Sequence, residues 1–186
     1  MSLFARKQYG TVLADPPWPE RGGGKIKRGA DRHYPLMSVE AIKALLVHGL
    51  PVVEHALPDS HLYLWATNNY LPDAIEVMRA WGFRYVTCIT WAKDRPGLGQ
   101  YFRGMTEHLL FGVRGQPPYR IIDGKRAQGT TLISAPRTEH SVKPAEFHRL
   151  IERVSAGPYL ELFARRPMEG WDVWGNEVTA PEAAHG

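Results

Sequence analysis

The chain has 186 residues, 44% hydrophobic and 23% charged, the composition of a soluble globular protein with the length of one domain. No apolar run approaches the ~18 residues of a membrane-crossing helix, and Met1 to Gln8 has no long apolar stretch of the kind a secretory leader carries. A single cysteine, Cys88, excludes a disulfide framework and a paired-cysteine zinc site, so a reducing cytoplasm and no metal are expected, and 23 Lys and Arg against 19 Asp and Glu leave a mildly basic +4.

Gly10 to Ala14 reads as a short buried strand, stopped by Asp15-Pro16-Pro17-Trp18. Ser38 caps a helix predicted through Leu46, with Val39, Ile42, Leu45 and Leu46 on one face. His61 to Ala66 is the next strand. Pro72 takes a first-turn position in a helix whose stripe of Ile75, Met78 and Trp81 ends at Gly82. Phe83 to Trp91, rich in β-branched and aromatic residues, and Glu107 to Val113 are further strands. Pro144 opens a helix with Phe147, Leu150, Ile151 and Val154 on its apolar face; Gly157-Pro158 ends it, and Tyr159 to Phe163 follows as a strand.

Strands alternating with helices predict an α/β fold around a mostly parallel sheet. Three segments, about 19–34, 95–106 and 114–138, fit neither period and are long enough to be functional or mobile. Between Arg21 and Arg32 the first holds Arg21, Lys25, Lys27, Arg28 and Arg32 against Asp31, and the last holds Arg114, Arg120, Lys125, Arg126 and Arg137 against Asp123. Solvated loops are the ordinary explanation of such runs, unless they flank a site. Residues Pro181 to Gly186 read as a frayed tail.

In an open α/β sheet, ligands bind outside the carboxyl ends of the strands. Asp15-Pro16-Pro17-Trp18 and Ala164-Arg165-Arg166 both fall there. As structure alone, two prolines and a core-plugging tryptophan make a rigid strand exit. That leaves a carboxylate, a fixed carbonyl and an aromatic face in one place without a purpose. The exocyclic N6 amine of adenine supplies one. Its lone pair is drawn into the ring, so it is a poor nucleophile until acceptors on its two hydrogens pull the nitrogen toward tetrahedral geometry. Asp15 can be one acceptor and the Pro16 carbonyl, held in one direction by the Pro17 ring, the other. Trp18 is then the face on which an extruded base stacks.

Other chemistries find no support. Gly22-Gly23-Gly24-Lys25 lacks the spacing and the Ser or Thr of a phosphate-binding loop, and no His-Glu-x-x-His occurs. Cys88, inside an apolar strand, reads as packing.

Eight pieces occur in one order: Ala14-Asp15-Pro16-Pro17-Trp18, His33-Tyr34-Pro35-Leu36-Met37-Ser38, Leu64-Trp65-Ala66-Thr67, Ile89-Thr90-Trp91-Ala92-Lys93, Glu107-His108, Lys143-Pro144, Glu161-Leu162-Phe163-Ala164-Arg165 and Trp174-Gly175-Asn176-Glu177. With them the chain resembles the N6-adenine methyltransferases of the type that includes the mRNA adenosine methyltransferase catalytic subunit, together with short bacterial and phage relatives acting on DNA. The resemblance runs from about Thr11 to Glu177. It implies a methyltransferase-type Rossmann fold in a single domain over 1–186. The sheet would be mostly parallel and twisted, with helices on both faces, the catalytic motif early and the cofactor strand late.

The resemblance also implies S-adenosyl-L-methionine as methyl donor and Asp15, Pro16, Pro17 and Trp18 as catalytic residues. Lys143 and Arg165 would face the donor's carboxylate, Asp15 also its ammonium, Asn176 and Glu177 its ribose hydroxyls, and Phe163 its adenosine. Glu177 stands where the family usually has Gln, and Pro167 where the eukaryotic catalytic subunit has a histidine. Tyr34 is a candidate lid over base or cofactor. Asn68 belongs to the turn before the Pro72 helix and is a candidate for reaching the target base. Lys25, Lys27, Arg28 and Arg103 are candidates for the nucleic-acid backbone, with Tyr101 and Phe102 available to stack. Trp65 and Trp91 are expected in the core.

The retained aspartate favours an enzyme over a non-catalytic nucleic-acid-binding partner subunit of the same fold. DNA is favoured over RNA, because no zinc-finger RNA module accompanies the motif. Whether the chain acts alone, as a homo-oligomer or with a partner subunit is left open by the sequence.

Overall fold

Tyr9–Ala14 (β1) lies inside the sheet because both its faces are apolar: Val12 and Ala14 face one layer of helices and Leu13 the other, all at most 1% exposed. The computed structural model describes residues 7–19, 35–97, 99, 101–137 and 142–175. In chain order the further elements are α1 (Val39–Lys43), the short strands β2 (Leu46–Val47) and β3 (Leu50–Pro51), β4 (Ala56–Ala66), α2 (Leu71–Ala80), β5 (Arg84–Ala92) and β6 (Thr106–Arg114). Then come β7 (Ile121–Ile122), β8 (Lys125–Arg126), β9 (Leu132–Ser134), α3 (Ala145–Val154), β10 (Tyr159–Leu162) and β11 (Trp171–Trp174).

Seven strands form one sheet in the order β11-β10-β1-β4-β6-β5-β9. All neighbours run parallel except the two pairs made by β6, which is antiparallel to both β4 and β5. This is the mostly parallel methyltransferase-type α/β sheet expected from the sequence. Ile42 of α1 and Ala74, Val77 and Met78 of α2 pack on one face, and Phe147 and Ile151 of α3 on the other. Helices therefore cover both faces.

Four expectations about elements need correction. The first helix stops at Lys43, where the Ala44 N–H closes on the Glu40 carbonyl, and Leu46 is 53% exposed in a hairpin. His48 and Gly49 turn that hairpin in the left-handed region, φ 49° and 80°. The strand at His61 begins earlier, at Ala56, behind the polar run Pro58-Asp59-Ser60. Segment 114–138 is not irregular throughout: Asp123 and Gly124, φ 50° and 72°, turn the hairpin β7–β8, and β9 adds a parallel edge strand beside β5. Finally, β11 was not anticipated. It extends the other edge, starting after Gly170 at φ 79°.

Candidate active site

β1 and β10 are parallel neighbours, so Asp15 and Arg165 leave the sheet side by side at its carboxyl edge. The motif's backbone is tied on every side. Asp15 N–H donates to the Leu162 carbonyl at 3.4 Å, Trp18 N–H to the Pro16 carbonyl at 2.9 Å, and Met37 N–H to the Pro17 carbonyl at 3.0 Å. The Pro16 carbonyl is thus aimed by a hydrogen bond as well as by the Pro17 ring, and a carbonyl oxygen has a second lone pair to offer.

The alternation along β1 continues beyond its end, placing Asp15 on the α3 side and Trp18 on the α1–α2 side. Asp15 Oδ2 lies 3.1 Å from the Lys143 ammonium, which the residue before Pro144 delivers at the head of α3. Lys143 Nζ also meets Glu107 Oε1 at 2.8 Å, and Glu107 Oε2 takes Lys93 Nζ at 2.8 Å. Lys143 sits 5.1 Å from the ring centre of Trp65, and Lys93 4.5 Å from that of Trp91. Those tryptophans, 2% and 1% exposed, are core as expected and also floor the charges.

Burial and neighbours set the protonation of this row. Burial pushes the Asp15 carboxyl above its ordinary value; Lys143 and Arg165 pull it down, while the Glu107 charge pushes it further up, and the net shift is upward. Burial also works against the Glu107 carboxylate, but Lys143 and Lys93 outweigh it and hold its pKa at about 2. Burial disfavours the Lys143 ammonium too, yet Asp15 and Glu107 hold it above the usual lysine range. Lys93 and Glu107 were quoted in the sequence only as parts of motifs, without a role. An acid opening an otherwise apolar strand next to a histidine was the available signal.

Three predicted roles change. Trp18 does not offer a stacking platform: it is 9% exposed, stacked on Tyr70 at 5.3 Å, with its indole N–H donating to the Trp65 carbonyl at 2.9 Å. Phe163 is core, 6% exposed and edge-on to Trp174 at 5.6 Å, rather than laid open for an adenosine. Its left-handed backbone, φ 63° and costly for a bulky residue, swings Ala164 and Arg165 out at the edge. Arg103 turns inward on its own loop, donating from Nε to the Gly97 carbonyl at 3.0 Å. Tyr101 and Phe102 on the same loop are 94% and 91% exposed.

Asn68 stands on the same edge, two residues past β4, and hydrogen-bonds to Thr106 and His108 of β6. Tyr34, Lys25, Lys27, Arg28, Asn176 and Glu177 lie outside the described residues. Gly175, the last of those, follows β11 at the carboxyl edge. The basic hairpin β7–β8 is elsewhere. Arg120 beside it donates to the Tyr159 hydroxyl at 3.2 Å, at the start of β10 and hence at the opposite end of the sheet. A concavity of about 400 Å³ between Lys125, Arg126 and Arg153 is at that end, away from Asp15.

A strand-end Asp-Pro-Pro-Trp, backed by a buried lysine and a late arginine, is matched by one family model, MT-A70, over residues 9–177. The chain belongs to the MT-A70 family. Among curated relatives it is 29% identical to the type II methyltransferase M.MunI of Mycoplasma sp, over 93% of this chain and 79% of that protein. It is 30% identical to the N(6)-adenosine-methyltransferase MT-A70-like of Arabidopsis thaliana, over 91% of this chain and 24% of that protein. It is 28% identical to the human N(6)-adenine-specific methyltransferase METTL4, over 95% of this chain and 39% of that protein. The chain therefore spans most of the first and a quarter to two-fifths of the other two. As an MT-A70 domain it is a methyltransferase by family, which is what the motif order implied.

Proposed function

We propose that the chain transfers a methyl group from S-adenosyl-L-methionine to the N6 amine of adenine in nucleic acid, with DNA as the preferred polymer. The observation that carries this reading is Asp15, a carboxylate whose Oδ2 is anchored by Lys143 while Oδ1 has no hydrogen-bond partner among the described residues, next to an aimed Pro16 carbonyl. Two acceptors at a sheet edge are what an amine with two hydrogens requires.

Asp15 Oδ1 accepts one N6 hydrogen and the Pro16 carbonyl the other, which localises the nitrogen lone pair toward the incoming methyl group. As the nitrogen gains charge it becomes acidic, and Asp15, whose pKa lies above the ordinary carboxylate value, is placed to receive the proton at Oδ1. Lys143 keeps Asp15 in one rotamer, and Glu107 keeps Lys143 in place.

The charge pattern of the edge fits the methyl donor. Lys93, Lys143 and Arg165 stand with Asp15 and Glu107 at this edge, a mixture of both charge signs that suits a ligand carrying a carboxylate and an ammonium. Arg165 with Lys143 would hold the methionine carboxylate, Asp15 its ammonium, and Asn176 and Glu177 the ribose hydroxyls. When bound, that cofactor supplies an electrophilic methyl on a sulfonium.

The DNA preference is supported by the 29% identity to the type II methyltransferase over 93% of this chain. Labelled S-adenosyl-L-methionine is incubated with matched DNA and RNA oligonucleotides, and the nucleosides are separated by mass spectrometry. N6-methylated deoxyadenosine is the expected product. Label in adenosine of RNA alone moves the substrate to RNA, and label in neither ends the enzymatic reading.

A further inference from the structure

Asn68 Oδ1 can only accept a hydrogen bond, so the His108 ring nitrogen facing it, Nε2, carries the hydrogen. In a neutral ring Nδ1 is then the acceptor, and two donors face it: the Thr90 hydroxyl at 3.1 Å and the Cys88 thiol at 3.5 Å. Burial holds the His108 pKa below the ordinary imidazole value, with Glu107 opposing, so the ring keeps this neutral form. The Asn68 amide is thereby fixed. One Nδ2 hydrogen goes to Thr106 Oγ1 at 3.0 Å, and among the described residues the second has no partner.

The backbone that carries Asn68 is fixed as well. Asn68–Tyr70 is a single tight turn after β4, the strand lying between β1 and β6. Tyr70 at its far end stacks on Trp18 of the motif. Trp18 and His108 therefore hold one three-residue turn from both ends, at the carboxyl edge just past β4, the strand next to β1, and leave an oriented N–H donor on exposed Asn68.

We propose that Asn68 donates this second amide hydrogen to a ring nitrogen of the target adenine adjoining the N6 amine, N1 or N7, and that His108 is the positioning residue that orients the amide. Adenine presents acceptors at both nitrogens, which an amide N–H can meet. The inference rests on the adenine reading above.

Oligonucleotides with adenine, 1-deazaadenine or 7-deazaadenine at the target position are methylated by the parent, Asn68→Ala, His108→Leu and His108→Gln proteins. A single hydrogen bond predicts that Asn68→Ala and His108→Leu raise the adenine KM about three- to tenfold. Calorimetry should find cofactor affinity unchanged. His108→Gln, which keeps a donor toward Asn68, should restore the parent KM. With one of the two deaza substrates the parent and Asn68→Ala should have the same KM, because the acceptor is already gone. Equal KM ratios on all three substrates, or no recovery in His108→Gln, overturn the inference while the enzyme remains an adenine methyltransferase. A parent protein that methylates no adenine overturns the functional reading and this inference with it.

Discussion

Glu107 holds the Lys143 ammonium at 2.8 Å, closer than the 3.1 Å at which Asp15 holds it. The lysine is shared, and the carboxylate on the strand takes the tighter contact. Asp15 is left with part of its desolvation uncompensated, so its pKa rises while that of Glu107 falls to about 2. Two carboxyls a few ångströms from one ammonium are driven apart in acidity, one kept charged and the other, the reactive one in the proposed mechanism, able to gain a proton.

Asp15→Asn keeps the shape and an acceptor oxygen but removes the charge. Turnover should fall by roughly 10²–10³, the range for losing one oriented electrostatic group at a reacting centre. Circular dichroism should match the parent. Cofactor affinity, measured separately by calorimetry, tells a lost ammonium contact from lost chemistry. Parent-like turnover in the folded variant is incompatible with the mechanism.

Glu107→Gln removes the anion between two lysines. Breaking a buried pair by removing one partner costs roughly 3–5 kcal/mol, so the denaturant midpoint should drop. With the Glu107 charge gone and Lys143 turned fully to Asp15, the Asp15 pKa should fall, and the acidic limb of the kcat–pH profile should shift to lower pH. An unmoved limb would show that Glu107 does not tune Asp15. In the parent, the Glu107 pKa is depressed from 4.5, so its stabilisation is present above pH 4.5 and is lost as pH falls toward about 2. Asp15 has the opposite sign: its raised pKa favours the protonated fold, and its ionisation costs stability as pH climbs past 3.8 and through the folded value.

A separate stability window belongs to His61, buried in β4 with its ring 5.0 Å from Phe111. Desolvation lowers its pKa from 6.5 to about 4, so the unfolded chain binds a proton that the fold refuses. Stability is full above pH 6.5 and should decline as pH falls to about 4, by up to roughly 3 kcal/mol. His61→Leu should flatten urea stability across that range while leaving the loss below pH 4.5 intact. A parent protein equally stable at pH 7 and pH 4.5 contradicts the assignment.

The motif and its strand were legible because they are local: an apolar run, two prolines and an acid say where the sheet edge is before any neighbour is known. β4, β5, β6 and β10 announced themselves by apolar runs as well. β11 did not, since Trp171-Asp172-Val173-Trp174 is too short for a period and finds its place only against β10. The Asp123-Gly124 turn was readable in principle, but its flanking strands are two residues each. What sequence could not reach was anything made across strands. Lys93, Glu107 and Lys143 become one row only when β5, β6 and α3 converge, and Trp18 ceases to be a stacking face only because Tyr70 and Trp65 arrive from β4 and its turn.

The exposed aromatics Tyr101 and Phe102 lie on the loop leading from Lys93 to β6, so they sit beside the row of charges without belonging to it. Gly97 N–H donates to the Gly104 carbonyl at 2.7 Å and Arg103 bonds to the Gly97 carbonyl, which closes the loop's neck and leaves both rings outward. Stacking on a nucleobase is worth about 1–3 kcal/mol per ring by alanine substitution. Tyr101→Ala with Phe102→Ala should therefore raise the oligonucleotide KM by at least about tenfold, with cofactor affinity and urea stability unchanged. The salt dependence separates this from backbone attraction: stacking releases no counterions, so the double variant should keep the parent's slope of log K against log salt. Replacing Lys25, Lys27 and Arg28 together by Gln should do the reverse, flattening that slope by about 0.9 per lost contact on duplex or about 0.7 on a single strand. If the aromatic variant flattens the slope, or leaves the KM where it was, Tyr101 and Phe102 do not stack on the substrate.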